Sequence, residues 1–229
     1  MCIAFLKSSV GRKAVMALTG LALYLFVIIH MMGNLQIFLG REALNSYAEH
    51  LEELPMLLWP ARVVLLSLLL LHMHTAISLA LENRRARPVR YIHEDTVQAT
   101  VLSRTMVLSG LLIFFFIVYH LLHFTFGVTH PQYFHLVDPK GRHDVYSMVI
   151  LSFREGRVSV SYIAAMMVLS AHLGHGGASL FQSLGFNDEK KMPVVTAVSQ
   201  WLAAALFIGN SAIPVASFMG WLQPVLGGR

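Results

Sequence analysis

Charged residues are scarce in this sequence, and their distribution argues against a soluble fold. They make up 13% of the 229 residues, against about a quarter in ordinary soluble domains. A helix needs about 20 mostly apolar residues to cross a bilayer. The sequence therefore predicts an all-α integral membrane protein with five transmembrane helices. The stretches without Asp, Glu, Lys or Arg that carry this prediction are 14–40, 63–81, 105–137, 158–187 and 192–228.

Cysteine is almost absent, and acidic residues are absent from the apolar stretches. Cys2 is the single cysteine, which excludes an internal disulfide framework and any cysteine-ligated iron–sulfur or zinc site. No carboxylate-based proton relay is visible inside the five stretches. The net charge of +5 is better explained by basic residues flanking membrane helices than by binding of nucleic acid.

The first apolar stretch is predicted to be a retained transmembrane helix. Lys7, Arg12 and Lys13 precede it, as in a signal peptide. However, the apolar run is longer than the usual 7–15 residues of a signal peptide, and no small-residue cleavage site closes it.

We interpret the whole chain as a single membrane domain, residues 1–229. Segment ALNSYAEHLEEL predicts a short interfacial helix after the first span, and Pro55 and Pro60 mark the approach to the second. Residues 128–157 form the longest predicted loop, with solvated histidines. Pro214 is expected to kink the last helix. The predicted spans are 14–38, 61–82, 101–127, 158–185 and 194–222.

Basic residues favour one orientation in the membrane. Five spans place the termini on opposite sides. The side of the N-terminus carries ten Lys and Arg residues and the other side carries seven. The positive-inside rule therefore predicts a cytoplasmic N-terminus.

Histidines inside the spans are the main functional signal. Ionisable residues inside a membrane are functional candidates by default, and a buried neutral imidazole still needs hydrogen-bond or metal partners. The sequence has 12 histidines. Seven of them lie in predicted spans: His30, His72, His74, His120, His123, His172 and His175.

The depths of four histidines sort into two levels. At 1.5 Å per residue, His30 lies ~26 Å and His120 ~24 Å from the charged residues that precede their spans on the N-terminal side. His72 lies ~15 Å from that side, and we place His172 with it on the inner level. Two such pairs suit two cofactors stacked across the membrane. Haem held by two imidazoles is the obvious candidate, and its task is electron transfer.

A single buried histidine is more often a hydrogen-bonded core residue, so the argument rests on four histidines from four spans. His74 is a second choice to His72, because the two point to different sides of one helix. His123 and His175 are candidates for contacts with haem propionates, water or quinone, or for plain hydrogen bonds between helices. Small residues expected to let a porphyrin approach are Gly33, Gly110, Gly174, Gly176 and Gly177.

Five segments resemble the dihaem cytochrome b membrane anchor of succinate dehydrogenases and fumarate reductases, nearly from end to end. They are GRKAVMALTGLALYLFVIIHMMGNL, EALNSYAEHLEELP, HMHTAISLALENRRARPVRY, FIVYHLLHF and AHLGHGGASLFQSLG. The resemblance implies two haems b with axial iron ligands His30, His72, His120 and His172. It pairs His72 with His172 in the inner haem and His30 with His120 in the outer one.

The resemblance also implies the rest of the assembly. A flavoprotein subunit would interconvert succinate and fumarate, and an iron–sulfur subunit would exchange electrons with this anchor. The anchor itself would have no succinate site. Quinone, often menaquinone in dihaem members, would react in the bilayer. The implied location is the bacterial cytoplasmic membrane.

One position departs from the pattern of some fumarate reductases. Those proteins carry a glutamate linked to transmembrane proton transfer two residues before the fourth ligand, where this chain has Ser170. A proton pathway of that kind is therefore in doubt. Two other functions stay open: a haem subunit of another quinone-linked oxidoreductase, and a transporter that uses histidines for a proton or metal ion.

Overall fold

The computed structural model describes residues 8–86 and 101–225, and within them the fold is all-α, with one isolated β-bridge between Val137 and His143. The predicted fold class is confirmed. In chain order the helices are α1 (Ser9–Asn34), α2 (Arg41–Glu52), α3 (Pro55–Ala86), α4 (Val101–Arg104), α5 (Met106–His120), α6 (Pro131–Phe134), α7 (Val145–Arg154), α8 (Gly156–Ser183) and α9 (Met192–Phe218).

Five of these helices are long and apolar enough to cross a membrane, as predicted: α1, α3, α5, α8 and α9. The helix α1 continues as a 3₁₀ helix over Leu35–Leu39, and α5 continues as a π-helical turn over Leu121–Thr125. Gly40 then ends the first segment with a φ of 100°, a conformation that suits glycine. The chain therefore has a multi-pass membrane architecture.

The second membrane helix begins six residues before the start predicted for the second span, at 61. The helix α3 begins at Pro55 and contains Pro60, whereas both prolines were expected to precede it. Proline fits the first position of a helix, because the N–H it lacks has no partner there. Pro60 removes only one backbone hydrogen bond, close to the N-terminal end of a 32-residue helix.

The long connection predicted over 128–157 contains a short helix, α7. Asp144 caps this helix, and its carboxylate accepts a hydrogen bond from the backbone N–H of Ser147 at 3.1 Å. A cap of this kind satisfies an N–H group that the first helical turn leaves free. Helix α7 has ten residues, too few to produce the apolar signal of a membrane span.

The chain divides into two compact units, and each takes a part of all five membrane-spanning helices. The described part of the first unit comprises residues 8–26, 62–86, 101–111 and 171–204. The described part of the second comprises residues 27–61, 112–170 and 205–225.

In the first unit, the beginning of α1 meets the end of α3. The guanidinium of Arg12 donates a hydrogen bond to the carboxylate of Glu82 and forms an ion pair with it. Several residues of the orientation argument, with Cys2, lie outside the described residues: Lys7, Arg87, Arg90 and Arg229.

The second unit has an apolar and aromatic core beneath its connecting segments. Ile37 and Ile150 are almost completely buried, and Phe153, Tyr162 and Ile213 pack in the same cluster. The core thus joins the end of the first membrane helix to α7, α8 and α9. This packing fixes the connecting segments against the membrane helices.

A buried polar cluster joins α2 to the segment that precedes α7. The side-chain amide of Asn45 donates to carboxylate oxygens of Asp138 at 3.3 Å and Asp144 at 3.0 Å. Its oxygen accepts from the backbone N–H of Tyr146 at 2.9 Å. Arg41 adds a hydrogen bond to the carbonyl of Val225 at 2.6 Å. Helix α2, the segment before α7 and the chain around Val225 are therefore held together within the second unit.

Arg142 neutralises the carboxylates of this cluster. Its guanidinium lies 2.6 Å from Asp138 and 2.9 Å from Glu42. Its hydrogen bond, followed by those of Lys140 and Ser46, lowers the pKa of Glu42 to about 2. Burial acts to raise the pKa of Asp138, but hydrogen bonds led by that of Arg142 outweigh it and hold this pKa below its ordinary value. Both carboxylates are therefore charged at neutral pH.

Replacing Asn45 by Ala should destabilise the second unit. The substitution removes the amide donors of two buried carboxylates and the acceptor of a backbone N–H. Both carboxylates keep other partners, but the N–H of Tyr146 loses its acceptor, and a buried polar group without a partner costs about 1–3 kcal/mol. We therefore expect a loss of ~2 kcal/mol. Thermal unfolding in detergent measures it. Glu52→Ala, at an exposed position of the same helix, is the matched control. Equal stability of the two variants would contradict the prediction.

Candidate functional site

Two of the four predicted ligands lie against each other in the second unit. The ring centres of His30 and His120 are 5.8 Å apart, and the ring planes are nearly perpendicular at 88°. Two imidazoles that share one metal ion through metal–nitrogen bonds of about 2 Å would place their ring centres roughly 6 Å apart. His30 is exposed and His120 is partly exposed, so both rings keep accessible surface. The distance between the two ring centres is therefore close to the value expected for two imidazoles on one ion.

In the first unit, hydrogen bonds fix the ring of His72. Its Nδ1 lies 3.1 Å from the backbone carbonyl of Met16 and 3.2 Å from the hydroxyl of Thr19. That hydroxyl donates to backbone carbonyls of its own helix, at 2.8 Å for Val15 and 3.1 Å for Met16. A carbonyl can only accept, so Nδ1 of His72 carries the hydrogen.

His172 is held in the same way by a different helix. Its Nδ1 lies 2.9 Å from the hydroxyl oxygen of Ser109 on α5. The Ser109 hydroxyl donates its hydrogen to the carbonyl of Met106 at 3.0 Å. Its oxygen therefore accepts from Nδ1–H of His172.

These bonds leave Nε2 of both imidazoles as a lone-pair donor. A histidine that binds a metal through one ring nitrogen usually donates the N–H of the other to a carbonyl, carboxylate or water, which fixes the tautomer and raises the basicity of the ligand. His72 and His172 are close enough for their charges to interact. His74 is exposed and His72 is partly buried, in keeping with the preference for His72. Ligation of iron by any of the four stays a prediction.

Glycines lie where two of these rings pack. A Cβ atom on Gly20 would stand 3.1 Å from Cε1 of His72, and one on Gly110 would stand 3.5 Å from Cε1 of His172. The hydrogen on Gly20 thus gives the His72 ring room beside α1.

Three other glycines pack against protein side chains, and their expected contact with a porphyrin stays a prediction. A Cβ on Gly33 would stand 2.7 Å from the hydroxyl of Tyr47, and one on Gly177 would stand 2.8 Å from the hydroxyl of Ser199. Gly174 packs against Ala203 in the same manner. These glycines allow close packing of side chains from neighbouring helices. Gly176 has only Met106 near it, at 3.9 Å.

The remaining span histidines have different surroundings. Nε2 of His175 lies 3.2 Å from the hydroxyl of Ser179 on its own helix. His123 is only 2% exposed, and its Nδ1 lies 2.9 Å from the hydroxyl of Tyr162. That hydroxyl is also 3.4 Å from Nδ1 of His120.

The sequence argument missed three residues of this group. His130 was expected to be solvated, yet its ring centre lies 4.6 Å from that of His123, and its Nε2 lies 3.2 Å from a carboxylate oxygen of Glu155. Tyr162 and Glu155 were not singled out. The two histidines of the HLLHF segment were the available signal, because they lie three residues apart on one helix.

The pair His30 and His120 and the pair His72 and His172 each have features that suit a haem held by two imidazole ligands. The fit rests on the free Nε2 atoms of His72 and His172, on the spacing of His30 and His120, and on the accessible surface of the rings. Among residues 8–86 and 101–225, no three His, Cys, Asp or Glu side chains converge as a metal cluster would require. Two-histidine coordination completed by a porphyrin needs no such cluster.

Comparisons with known protein families, with curated proteins and with solved structures found no match to this chain.

Replacing Ser109 by Ala should change the tautomer of His172. The variant removes the acceptor of Nδ1–H, so we expect a mixture of tautomers in place of the single Nδ1-protonated form. Nitrogen-15 spectra of histidine-labelled protein in lipid distinguish the two ring nitrogens. Ser67→Ala, which removes only an exposed bond to the carbonyl of Val63, should leave the spectrum unchanged. An unaltered His172 signal in the Ser109 variant would contradict the assignment.

Proposed function

We propose that this chain is the cytochrome b membrane anchor of a succinate:quinone oxidoreductase or quinol:fumarate reductase. It carries electrons between an iron–sulfur subunit and membrane quinone through two haems b. His72 and His172 bind one haem iron, and His30 and His120 bind the other.

One observation supports this proposal: four apolar helices each supply a histidine, and each of these rings has either an Nδ1 atom bonded to the protein or another histidine ring beside it. One pair has its Nδ1 atoms occupied by protein acceptors, which leaves Nε2 free. The other has its rings at the spacing that a shared metal ion requires.

In this proposal, the protein orients the histidine ligands and tunes the reduction potentials of the haems. Haem, when bound by two imidazoles, supplies one-electron transfer and has no open iron position for oxygen. The carbonyl of Met16 and the hydroxyl of Ser109 hold the rings of His72 and His172 in the ligating tautomer. Partial negative charge on these acceptors raises the basicity of Nε2 and favours the oxidised iron.

The remaining parts of the assembly come from other subunits. Succinate and fumarate react on a flavoprotein subunit, and an iron–sulfur subunit docks on the side of the N-terminus, which is cytoplasmic in a bacterial inner membrane. Quinone, as menaquinone, exchanges electrons with the anchor inside the bilayer. The basic residues flanking the membrane helices set this orientation.

The intact complex should contain two haems b for each copy of this chain. Reduced-minus-oxidised visible spectra with a pyridine haemochrome assay give the stoichiometry. The same preparation should contain a flavin and iron–sulfur clusters in two further polypeptides. A preparation without a haem band would eliminate the proposal and favour a transporter. Haem without a flavoprotein partner would point to another quinone-linked oxidoreductase.

Alanine at a ligand position should remove one haem selectively. We expect His30→Ala and His120→Ala to lose the same one of two spectral components, and His72→Ala and His172→Ala to lose the other. Low-temperature spectra and redox titration resolve the two components. His74→Ala, at an exposed position two residues from His72, is the control and should retain both. Loss of the same component in His30→Ala and His72→Ala would contradict the pairing.

A further inference from the structure

A tyrosine hydroxyl lies between two imidazoles of the second unit. Tyr162 of α8 is only 6% exposed, and its ring belongs to the apolar and aromatic core of this unit. Its hydroxyl oxygen is 2.9 Å from Nδ1 of His123 and 3.4 Å from Nδ1 of His120. A hydroxyl has one hydrogen to donate and two lone pairs with which it accepts. It can therefore donate to one of these rings while it accepts from the other.

The two distances indicate the direction of the bonds. Hydrogen bonds donated by O–H are shorter than those donated by N–H, and the contact with His123 is the shorter of the two. The hydroxyl of Tyr162 therefore donates to Nδ1 of His123 and accepts the hydrogen on Nδ1 of His120. If both rings donated instead, the hydroxyl hydrogen would lack an acceptor among the described residues, a condition that is rare for buried polar groups.

The ring of His123 is held in place by its neighbours. It stacks on the ring of Phe124 with centres 3.9 Å apart and lies 4.6 Å from the ring of His130. Nε2 of His130 is in turn 3.2 Å from the carboxylate of Glu155. Nε2 of His123 makes no hydrogen bond among the described residues. Within that part of the chain, Tyr162 alone therefore sets the tautomer of His123.

The backbone brings both rings to one hydroxyl. Helix α5 ends at His120, and His123 lies in the π-helical turn over Leu121–Thr125 that follows. The N–H of Phe126 closes this turn with a bond of 2.9 Å to the carbonyl of Leu121. Single π turns inside α-helices are rare and are frequent at functional sites. Two histidines that are three residues apart thus reach the same oxygen of α8 through their Nδ1 atoms.

We propose that Tyr162 is a positioning residue for His120. By accepting the hydrogen on Nδ1, its hydroxyl leaves the lone pair on Nε2 of His120 for an iron ion and fixes the orientation of the ring. The inference rests on the proposed function, because the iron in question belongs to the haem that His120 shares with His30. The bond to His123 strengthens the effect, since donation of its own hydrogen makes the hydroxyl oxygen a better acceptor.

The other two ligands have acceptors of the same kind. The carbonyl of Met16 and the hydroxyl of Ser109 accept from Nδ1 of His72 and His172. An acceptor at Nδ1–H raises the basicity of the ligating nitrogen and thereby favours the oxidised iron. Removal of the Tyr162 hydroxyl should therefore raise the reduction potential of one haem and leave that of the other unchanged.

The first test reads the tautomers and does not depend on haem. Nitrogen-15 spectra of the dithionite-reduced, histidine-labelled protein in lipid should show His120 with its hydrogen on Nδ1 and His123 with its hydrogen on Nε2. In Tyr162→Phe, which keeps the ring and removes the hydroxyl, His123 should become a mixture of tautomers. Tyr119→Phe removes a hydroxyl bonded to Ser161 and should leave both signals unchanged. A hydrogen on Nδ1 of His123 in the wild type, or an unaltered His123 signal in Tyr162→Phe, would overturn the inference.

The second test reads the reduction potentials of the intact complex. Redox titration followed by visible spectra should give Tyr162→Phe a higher potential for the spectral component that His120→Ala removes, and an unchanged potential for the other component. Tyr119→Phe should match the wild type at both. A lower potential, an equal shift of both components or no shift would reject the positioning role. General loosening of the core gives no reason for a rise confined to this component.

The two tests separate this inference from the proposed function. A wild-type preparation that lacks haem and shows the stated tautomers would eliminate the proposed function, while the hydrogen bonds assigned to Tyr162 would stand. Two haems whose potentials are the same in the wild type and in Tyr162→Phe would retain the proposed function and reject the role of Tyr162.

Discussion

The need to satisfy both nitrogens of an imidazole in apolar surroundings governs this protein. Each ring placed inside a membrane helix brings one donor and one acceptor that water cannot reach. The structure meets half of this requirement with backbone carbonyls and hydroxyls that are themselves bonded within their helices, as at Met16, Thr19 and Ser109. At His72 and His172 the second ring nitrogen, Nε2, keeps its lone pair available. An open lone pair on an oriented ring is what distinguishes a binding site from a packed core.

The second unit resolves the same problem differently. His30 and His120 meet edge to face, and the neighbouring His123 bonds to Tyr162 and contacts His130. Around these rings, aromatic side chains of α5 and α8 supply a rigid surface. The polar cluster of Asn45, Asp138 and Arg142 ties down the connections at that end. Rigid positioning of the connections matters because one of them contributes His130.

Sequence reasoning succeeded where a long-range physical rule applies and failed where local geometry decides. Membrane thickness fixes the length of a spanning helix, so the five spans could be located to within about six residues at each end. Depth along the helices placed His30 at the same level as His120, and the two rings do lie side by side. The start of α3 at Pro55, the short helix α7 and the partners of Gly33 and Gly177 could not be foreseen. They depend on which side chain fills a gap or caps a turn, and spacing along a sequence does not encode that.

The π turn at Leu121–Thr125 shows where this helix accommodates an extra residue. Such a turn closes a hydrogen bond over five residues instead of four, so it holds one residue more than the regular helix before it would. In a regular helix each added residue rotates the remaining side chains by about 100°, whereas a wider turn absorbs the extra residue locally. Because the turn follows His120, the extra residue that it holds does not turn His120 away from His30. An extra residue in the middle of α5 would instead rotate His120 out of that contact.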